Sequence, residues 1–396
     1  MNSILCRKAL TFKVRAFFLF FILFSGCQTE NRKTSQLPAP ASVNSNSIKY
    51  SSPEIVISFL GDVIIHERIR KREESSNEGF QTIWAEIQKY LDASDISYAN
   101  LEGPVAPEVG GVSGFPNFNF PEVIIPTLKA AGFDILSTAN NHALDRGALG
   151  ISTTIQNLKK SRLSYTGTVS SQQHLLESNE TYWGFTAIPK SELKVAWIAC
   201  TEMTNGHRDR ESQVLYCYKD ENKIKDMINA LRSDPTVVGI IVTPHWGQEE
   251  KFEIEPHRRS WAHKMINEGA TSVVGSHPHV LQAVEDFTTQ DGRKTFIAYS
   301  MGNFVSNQPK TPNKTSMMLL AKFKLGVNLK LEMTDLKYIS LWMSRTIEKD
   351  DSAKYRISPV WDLKKVPAEA AQIWKDQLGL ERRFKNEAEI NQFFTK

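Results

Sequence analysis

From about residue 54 onward, apolar β-forming runs alternate with amphipathic stretches, and this alternation leaves the chain few architectures. Residues 55–60, 96–99, 135–137, 194–200, 237–242 and 272–274 read as strands. Residues 80–91, 123–131, 151–160, 224–232 and 257–267 read as the helices between them. Strands that alternate with helices form parallel sheet through crossover connections, so an α/β domain is expected. The pattern then changes. Residues 296–300, 317–323, 329–333 and 338–343 follow one another as strands, which predicts antiparallel pairing that finishes a sheet. Residues 368–394 read as one or two surface helices.

Nearly every strand of the α/β part runs into a residue able to bind metal. The first leads to Asp62, with His66 four residues on. The others lead to Asn100-Leu101-Glu102, to Asn140-Asn141-His142 with Asp145 beyond, to His245-Trp246 with Glu249 beyond, and to His277-Pro278-His279. In an open α/β sheet the carboxyl ends of the strands share one crevice, where ligands bind. Mixed nitrogen and oxygen donors suit Zn, Mn or Fe better than Mg or Ca alone. Residues i and i+2 of an extended segment point the same way. His277 and His279 are therefore expected to face the crevice together, one imidazole for each of two ions. A single histidine is more often a packing residue, but five strand ends that all carry a ligand type are hard to explain by packing.

The N-terminus has a different character. Arg7, Lys8, Lys13 and Arg15 precede an apolar run over residues 16–24, then Ser25-Gly26-Cys27. This reads as a secretory signal over residues 1–26, too short to span a bilayer comfortably as a mature helix. Cys27 resembles the lipidated cysteine of a bacterial lipobox and would attach the mature chain to a membrane; an uncleaved anchor is the alternative. The formal charge is +4, and loss of the four basic signal residues leaves the remainder near neutral. Charge therefore gives no argument for nucleic acid, and no basic block with interleaved aromatics supplies one. Residues 27–53 are polar, with Pro, Ser and Asn, and read as a flexible tether. Export permits a disulfide between Cys200 and Cys217; Cys200 also reads as the buried end of a strand, and both readings stay open.

GDVIIH, ANLEG, STANNHALDRG, PHWGQE, VVGSHPHVLQAVE and YSMGNF occur in order along the chain. Over residues 54–345 the chain thereby resembles the bacterial capsule-synthesis CapA family, which is similar to the calcineurin-like metallophosphoesterases. The resemblance implies a four-layer α/β/β/α sandwich, followed by a short, helical C-terminal extension over residues 346–396. It also implies two divalent metal ions (Mn, Zn or Fe). Asp62 and His279 would hold the first, with His66 a further candidate although it stands four residues after the aspartate rather than two. Glu102 takes the place of the phosphoesterases' bridging aspartate. Asn141, His245 and His277 would hold the second ion, and His142 would be the acid. Asp145 would orient His142 or cap the following helix. Asn140, Trp246, Glu249 and Asn303 are candidate substrate contacts, with packing or turn formation as the alternative for Trp246 and Asn303. Arg146, His207, Arg208 and Arg210 are candidates for holding phosphate. Phe115, Phe118 and Phe120 would wall the crevice or tuck into the core.

The function implied is that of a lipid-anchored protein of the cell envelope. It would act in capsule or poly-γ-glutamate-type polymer synthesis, export or release, as a metal-dependent hydrolase of an anionic polymer or phosphoester. Membrane-bound polymer synthase subunits would be its partners. A general exported phosphoesterase and a non-catalytic synthase subunit are the alternatives.

Overall fold

A computed structural model describes residues 54–76, 79–171, 180–347 and 353–395. The expected signal segment, Cys27 and the whole of the tether lie outside the described residues.

Two sheets form the centre. In the first, β1 (Ile55–Val63), β2 (Ile96–Leu101), β3 (Ile135–Ser137) and β4 (Ser164–Thr166) run parallel as neighbours. β12 (Thr315–Leu325), β13 (Leu331–Ile347) and β14 (Ala353–Pro359) extend this sheet antiparallel from the other side of β1. The short β11 (Asn303–Val305) also pairs with β1. In the second sheet, β6 (Lys194–Thr201), β7 (Val237–His245), β8 (Ser272–Val274) and β10 (Lys294–Ala298) are parallel. β5 (Trp183–Ala187) and β9 (Val284–Thr288) close its edges antiparallel.

The period-2 direction of strand side chains sorts each strand between two cores. Ile55, Ile57 and Phe59 of β1 meet Val195 and Trp197 of β6, Ile241 of β7 and Phe296 of β10 between the sheets. Tyr98 and Trp197 stack there with ring centroids 5.3 Å apart. Val56 and Leu60, on the opposite face of β1, pack with Ile69, Leu91, Ile124, Leu128 and Leu158 from the helical layer. Ala196, Ile198 and Cys200 of β6 do the same with helices Glu221–Ser233 and Pro256–Glu268. The layers are therefore α/β/β/α, as the resemblance implies.

Three local expectations differ from the structure. Residues 80–91 form two 3-10 turns, Phe80–Ile83 and Ala85–Ile87, before helix Gln88–Ala93. The tighter turn stacks residues three apart, and so lays Phe80 and Ile83 on the same buried side. The strands expected over 329–333 and 338–343 are one long strand, β13, which begins at Leu331 and carries a bulge opposite Lys322/Phe323. The stretch from residue 346 is not helical throughout: β14 extends the first sheet, with Tyr355 and Ile357 alternating inward, before helices Ala368–Leu378 and Glu387–Phe394. Helix Ala368–Leu378 reaches the inter-sheet core through Trp374, whose Nε1 donates to the Ser316 carbonyl at 2.9 Å. Among the described residues, no helix is long and apolar enough to cross a membrane.

β1, β2 and β3 of the first sheet and β7 and β8 of the second bring their carboxyl ends together. The approach at β1 is close enough to need glycine: a Cβ on Gly61 would lie 1.8 Å from the Gly302 carbonyl oxygen. That contact lets the Asp62 N–H donate to Gly302 at 3.1 Å and sets the aspartate at the mouth.

Candidate metal centre

Asp62 and Glu102 are enclosed, and their surroundings differ. Asp62 Oδ1 accepts from Asn100 Nδ2 at 2.8 Å, and Oδ2 accepts from the His277 N–H at 3.3 Å. Glu102 is 1% exposed, and neither of its carboxylate oxygens has a hydrogen-bond partner. Burying a carboxylate without donors is costly unless a positive charge joins it. Two imidazoles stand close by: His279 Nε2 lies 3.6 Å and His245 Nε2 3.7 Å from Glu102 Oε1.

Two sets of three donor atoms converge here. In Asp62, Glu102 and His279 they all lie within 4.8 Å of one another, and the same holds for Glu102, His245 and His277. Glu102 belongs to both sets, the place of a bridging ligand. Donors about 2.0–2.2 Å from an ion stand about 3–4 Å apart around it, and the pairs His279 Nε2–Glu102 Oε1 at 3.6 Å, His245 Nε2–Glu102 Oε1 at 3.7 Å and His245 Nε2–His277 Nδ1 at 3.0 Å have that spacing.

For His279, hydrogen bonds settle which lone pair is free. Asn303 Nδ2 donates to Gln308 Oε1 at 2.7 Å and to the Asn313 carbonyl at 3.0 Å. Its Oδ1 must then accept from His279 Nδ1, 3.0 Å away. That bond puts the proton on Nδ1 and leaves the Nε2 lone pair facing Glu102. His245 Nδ1 lies 2.9 Å from Ser276 Oγ and 3.2 Å from Asn100 Nδ2. His245 Nε2 meets Asn141 Oδ1 at 2.9 Å and His277 Nδ1 at 3.0 Å. One oxygen and two imidazole nitrogens thus converge, a mixed donor set of the kind that suits a transition-metal cation.

The electrostatics agree. Burial first, then the Asp62 charge and more weakly that of Glu249, pushes the Glu102 carboxyl well above the usual range. Burial, reinforced by neighbouring imidazoles, drives His245 far down and His277 to about 3. His245 and His277 are thus held neutral, the form in which an imidazole can ligate a metal.

Beside this cluster, His142 Nδ1 and Asp145 Oδ2 are 2.7 Å apart. Asp145 Oδ2 also accepts from the Phe118 N–H at 2.6 Å, while Arg146 precedes helix Gly147–Lys160 without any side-chain cap. Asp145 therefore orients His142 and does not cap the helix. The Phe118 ring packs on His142 at 4.6 Å between centroids. Asn205, which has no strand-end position to announce it, donates weakly toward His142 at 3.5 Å and accepts from Asn141 Nδ2 at 3.3 Å.

Several expected residues take other places. His66 belongs to none of the ligand groups found among the described residues. Its Nδ1 accepts from the Asn307 N–H at 3.2 Å, which places the ring proton on Nε2 and removes that lone pair from ligation. Asn140 is consumed in loop geometry, donating to the Leu101 carbonyl at 2.8 Å and accepting from the His142 N–H at 3.1 Å. Trp246 is core: its Nε1 donates to the Tyr299 carbonyl at 3.0 Å, and its ring stacks on Tyr299. Asn303 acts on His279, as described. Glu249 is exposed and forms a third donor group with His277 and His279.

His277 and His279 are not extended: their φ values are 99° and 58°. The turn around Pro278, rather than strand alternation, brings both rings to the site, 5.7 Å apart. Phe118 and Phe120 are buried, whereas Phe115 is 76% exposed. Arg146 is held by Ser113 Oγ and by the carbonyls of Asn117 and Asp145. Arg208 and Arg210 are an exposed and an exposed-loop cation, and His207 Nε2 stands 3.8 Å from Asp145 Oδ1. Cys200 and Cys217 form a disulfide, with Cα atoms 5.0 Å apart.

The chain is 27% identical over 273 residues to the capsule biosynthesis protein CapA of Bacillus anthracis, an alignment covering 67% of this chain and 63% of that protein. It thus spans less than two thirds of that relative's length. It is 26% identical over 290 residues to the PGA biosynthesis protein CapA of Bacillus subtilis (strain 168), covering 72% of each. Among solved structures it is similar to the NAD nucleotidase NadN of Haemophilus influenzae, with TM-score 0.46 and 13% identity over 86% of this chain and 67% of that one. It is also similar to the sulfate thiohydrolase SoxB of Thermus thermophilus, with TM-score 0.39 and 12% identity over 73% of this chain and 44% of that one. The family described as bacterial capsule synthesis protein PGA_cap matches residues 56–308. That span encloses Asp62, Glu102, Asn141, His142, His245, His277 and His279, and the chain belongs to the PGA_cap family.

Proposed function

We propose that this chain is a metal-dependent hydrolase of the cell envelope, acting on an anionic polymer of the capsule or poly-γ-glutamate type during its synthesis, export or release. Glu102 carries the reading: an enclosed carboxylate without a hydrogen bond, shared by two imidazole-bearing donor sets. Asp62, Glu102 and His279 would hold one divalent ion, and Glu102, Asn141, His245 and His277 the other. When bound, such ions supply Lewis-acid chemistry, polarising a phosphoryl or carbonyl oxygen and making water a nucleophile at neutral pH.

The protein's own groups do the rest. Asp145 holds the proton of His142 on Nδ1, so Nε2 is the atom that exchanges a proton with a reacting oxygen or nitrogen. The Phe118 ring keeps water off one face of that imidazole. Asn303 keeps His279 in the ligating tautomer, and Asn100 holds Asp62 in place. Attachment to a membrane through Cys27, and work beside membrane-bound polymer synthase subunits, are part of the proposal. The N-terminal pattern supports the first, and the capsule and PGA biosynthesis relatives support the second.

The test is metal analysis of the purified chain, joined to assays on phosphoesters and γ-glutamyl amides. Two equivalents of Mn, Zn or Fe are expected. His142→Asn is expected to lower turnover by about 10²–10⁴-fold with metal content unchanged. A chain that binds no metal, or a His142→Asn variant of full activity, overturns the proposal.

A further inference from the structure

Glu249 is the exposed member of the constellation, and its setting is built. It lies on the loop after β7, and that loop is docked on the His-Pro-His turn. The Glu250 N–H donates to the Pro278 carbonyl at 2.8 Å, and the Gly247 N–H donates to Glu202 Oε2 at 3.0 Å. Glu202 is itself clamped by Arg258 NH2 at 2.9 Å from each oxygen. Gly247 has φ 103°, and a Cβ there would press on Pro278 Cγ at 3.2 Å. The loop is therefore packed against the turn, and Glu249 stands beside His277 and His279.

The other carboxylates of this loop's surroundings at the surface are satisfied. Glu250 pairs with Lys310, and Glu202 with Arg258. Among the described residues no hydrogen bond or ion pair is found for Glu249, yet its oxygen lies within 4.8 Å of donor nitrogens of both histidines. No hydrogen bond closes that gap, so the carboxylate stands beside both imidazoles where an ion held by either comes within its reach. The charge count points the same way. Asp62, Glu102 and Glu249 supply three negative charges, so one anion can replace Glu249 beside a pair of divalent ions without changing net charge or ligand number.

We infer that Glu249 is a solvent-side ligand that closes the open face of the metal centre and is displaced by an oxyanion of the substrate. The inference rests on the metal reading above. It selects substrates that carry a carboxylate or phosphate at the reacting end, because a neutral group could not replace the charge that leaves.

Glu249→Gln keeps the size and removes the charge, and the site is exposed, so the variant is expected to fold. The full chain would be loaded with Mn²⁺ and titrated against a chromophoric chelator. Phosphate and glutarate would then be titrated calorimetrically into the loaded protein. Glu249→Gln is expected to weaken one Mn²⁺ equivalent about 10-fold or more. Phosphate or glutarate is expected to bind about 10-fold tighter, since the competing charge is gone. The tighter of the two identifies the oxyanion type, and Glu249→Asp should lie between wild type and Gln. If wild type binds Mn²⁺ and the Gln variant matches it in both titrations, this inference falls and the metal reading stands. If wild type binds no Mn²⁺, both fall.

Discussion

Replacing Glu102 with glutamine should reverse the order of stability between the metal-free and metal-loaded protein. In the metal-free fold Glu102 is enclosed, both its oxygens lack donors, and burial with the Asp62 charge raises its carboxyl well above the ordinary range. For a group whose folded-state affinity for a proton is raised, the cost is absent below the unfolded value of about 4.5 and grows as pH rises toward the folded one. At neutral pH the metal-free fold therefore bears this cost, and an isosteric amide bears less of it. An unsatisfied buried group costs about 1–3 kcal/mol, so Glu102→Gln should be more stable than wild type by that order in chelator. With free metal at about 100 times Kd, wild type gains about 3 kcal/mol for each site filled, and the glutamine variant gains little. For a domain of this size 1 kcal/mol is roughly 1–2 °C of melting temperature. Calorimetric melts in chelator and in excess Mn²⁺ should show the curves exchange places. If the variant melts no higher than wild type in chelator, or if Mn²⁺ raises both equally, the assignment of Glu102 as the shared ligand is refuted.

Asn303→Leu removes the acceptor that holds His279 in its ligating tautomer; metal affinity should fall about 10–100-fold, read by chelator competition, while an unchanged affinity would show that the tautomer is set elsewhere. In the metal-free Glu102→Gln variant, where the opposing titration of Glu102 is absent, lowering pH from about 6.5 toward about 3 should destabilise the protein through His277, because its folded form refuses the proton that the unfolded chain accepts; pH-dependent urea unfolding measures this, and a flat profile in that window contradicts it. Cys200→Ala with Cys217→Ala opens a cross-link 17 residues apart in sequence, and should cost about 3 kcal/mol by urea unfolding. The same pair of changes should loosen the loop that brings Asn205 to Asn141 and His142. A stability equal to wild type would show the cross-link to be idle.

The alternation of strand and helix, and the polar residue at each strand end, were legible in the order of the residues. Strand direction alone sends those ends to one crevice, so Asp62, Glu102, Asn141, His142, His245, His277 and His279 could be named without coordinates. What they do to one another could not. The Asp62 and His277 partnership joins residues 215 apart. The Asn307 N–H that takes His66 out of ligation comes from 241 residues away. His142 and Asp145 are near neighbours in the chain, yet orienting and capping use the same residue types, and only the position of Nδ1 decided between them. Trp246 and Asn140 had the right place in a motif, and burial assigned them to packing and loop geometry instead. Local sequence determines which donors reach the mouth of a sheet. Protonation, tautomer and ligand sharing depend on distances of about 3 Å between segments remote along the chain, and those distances exist only once the two sheets have packed together.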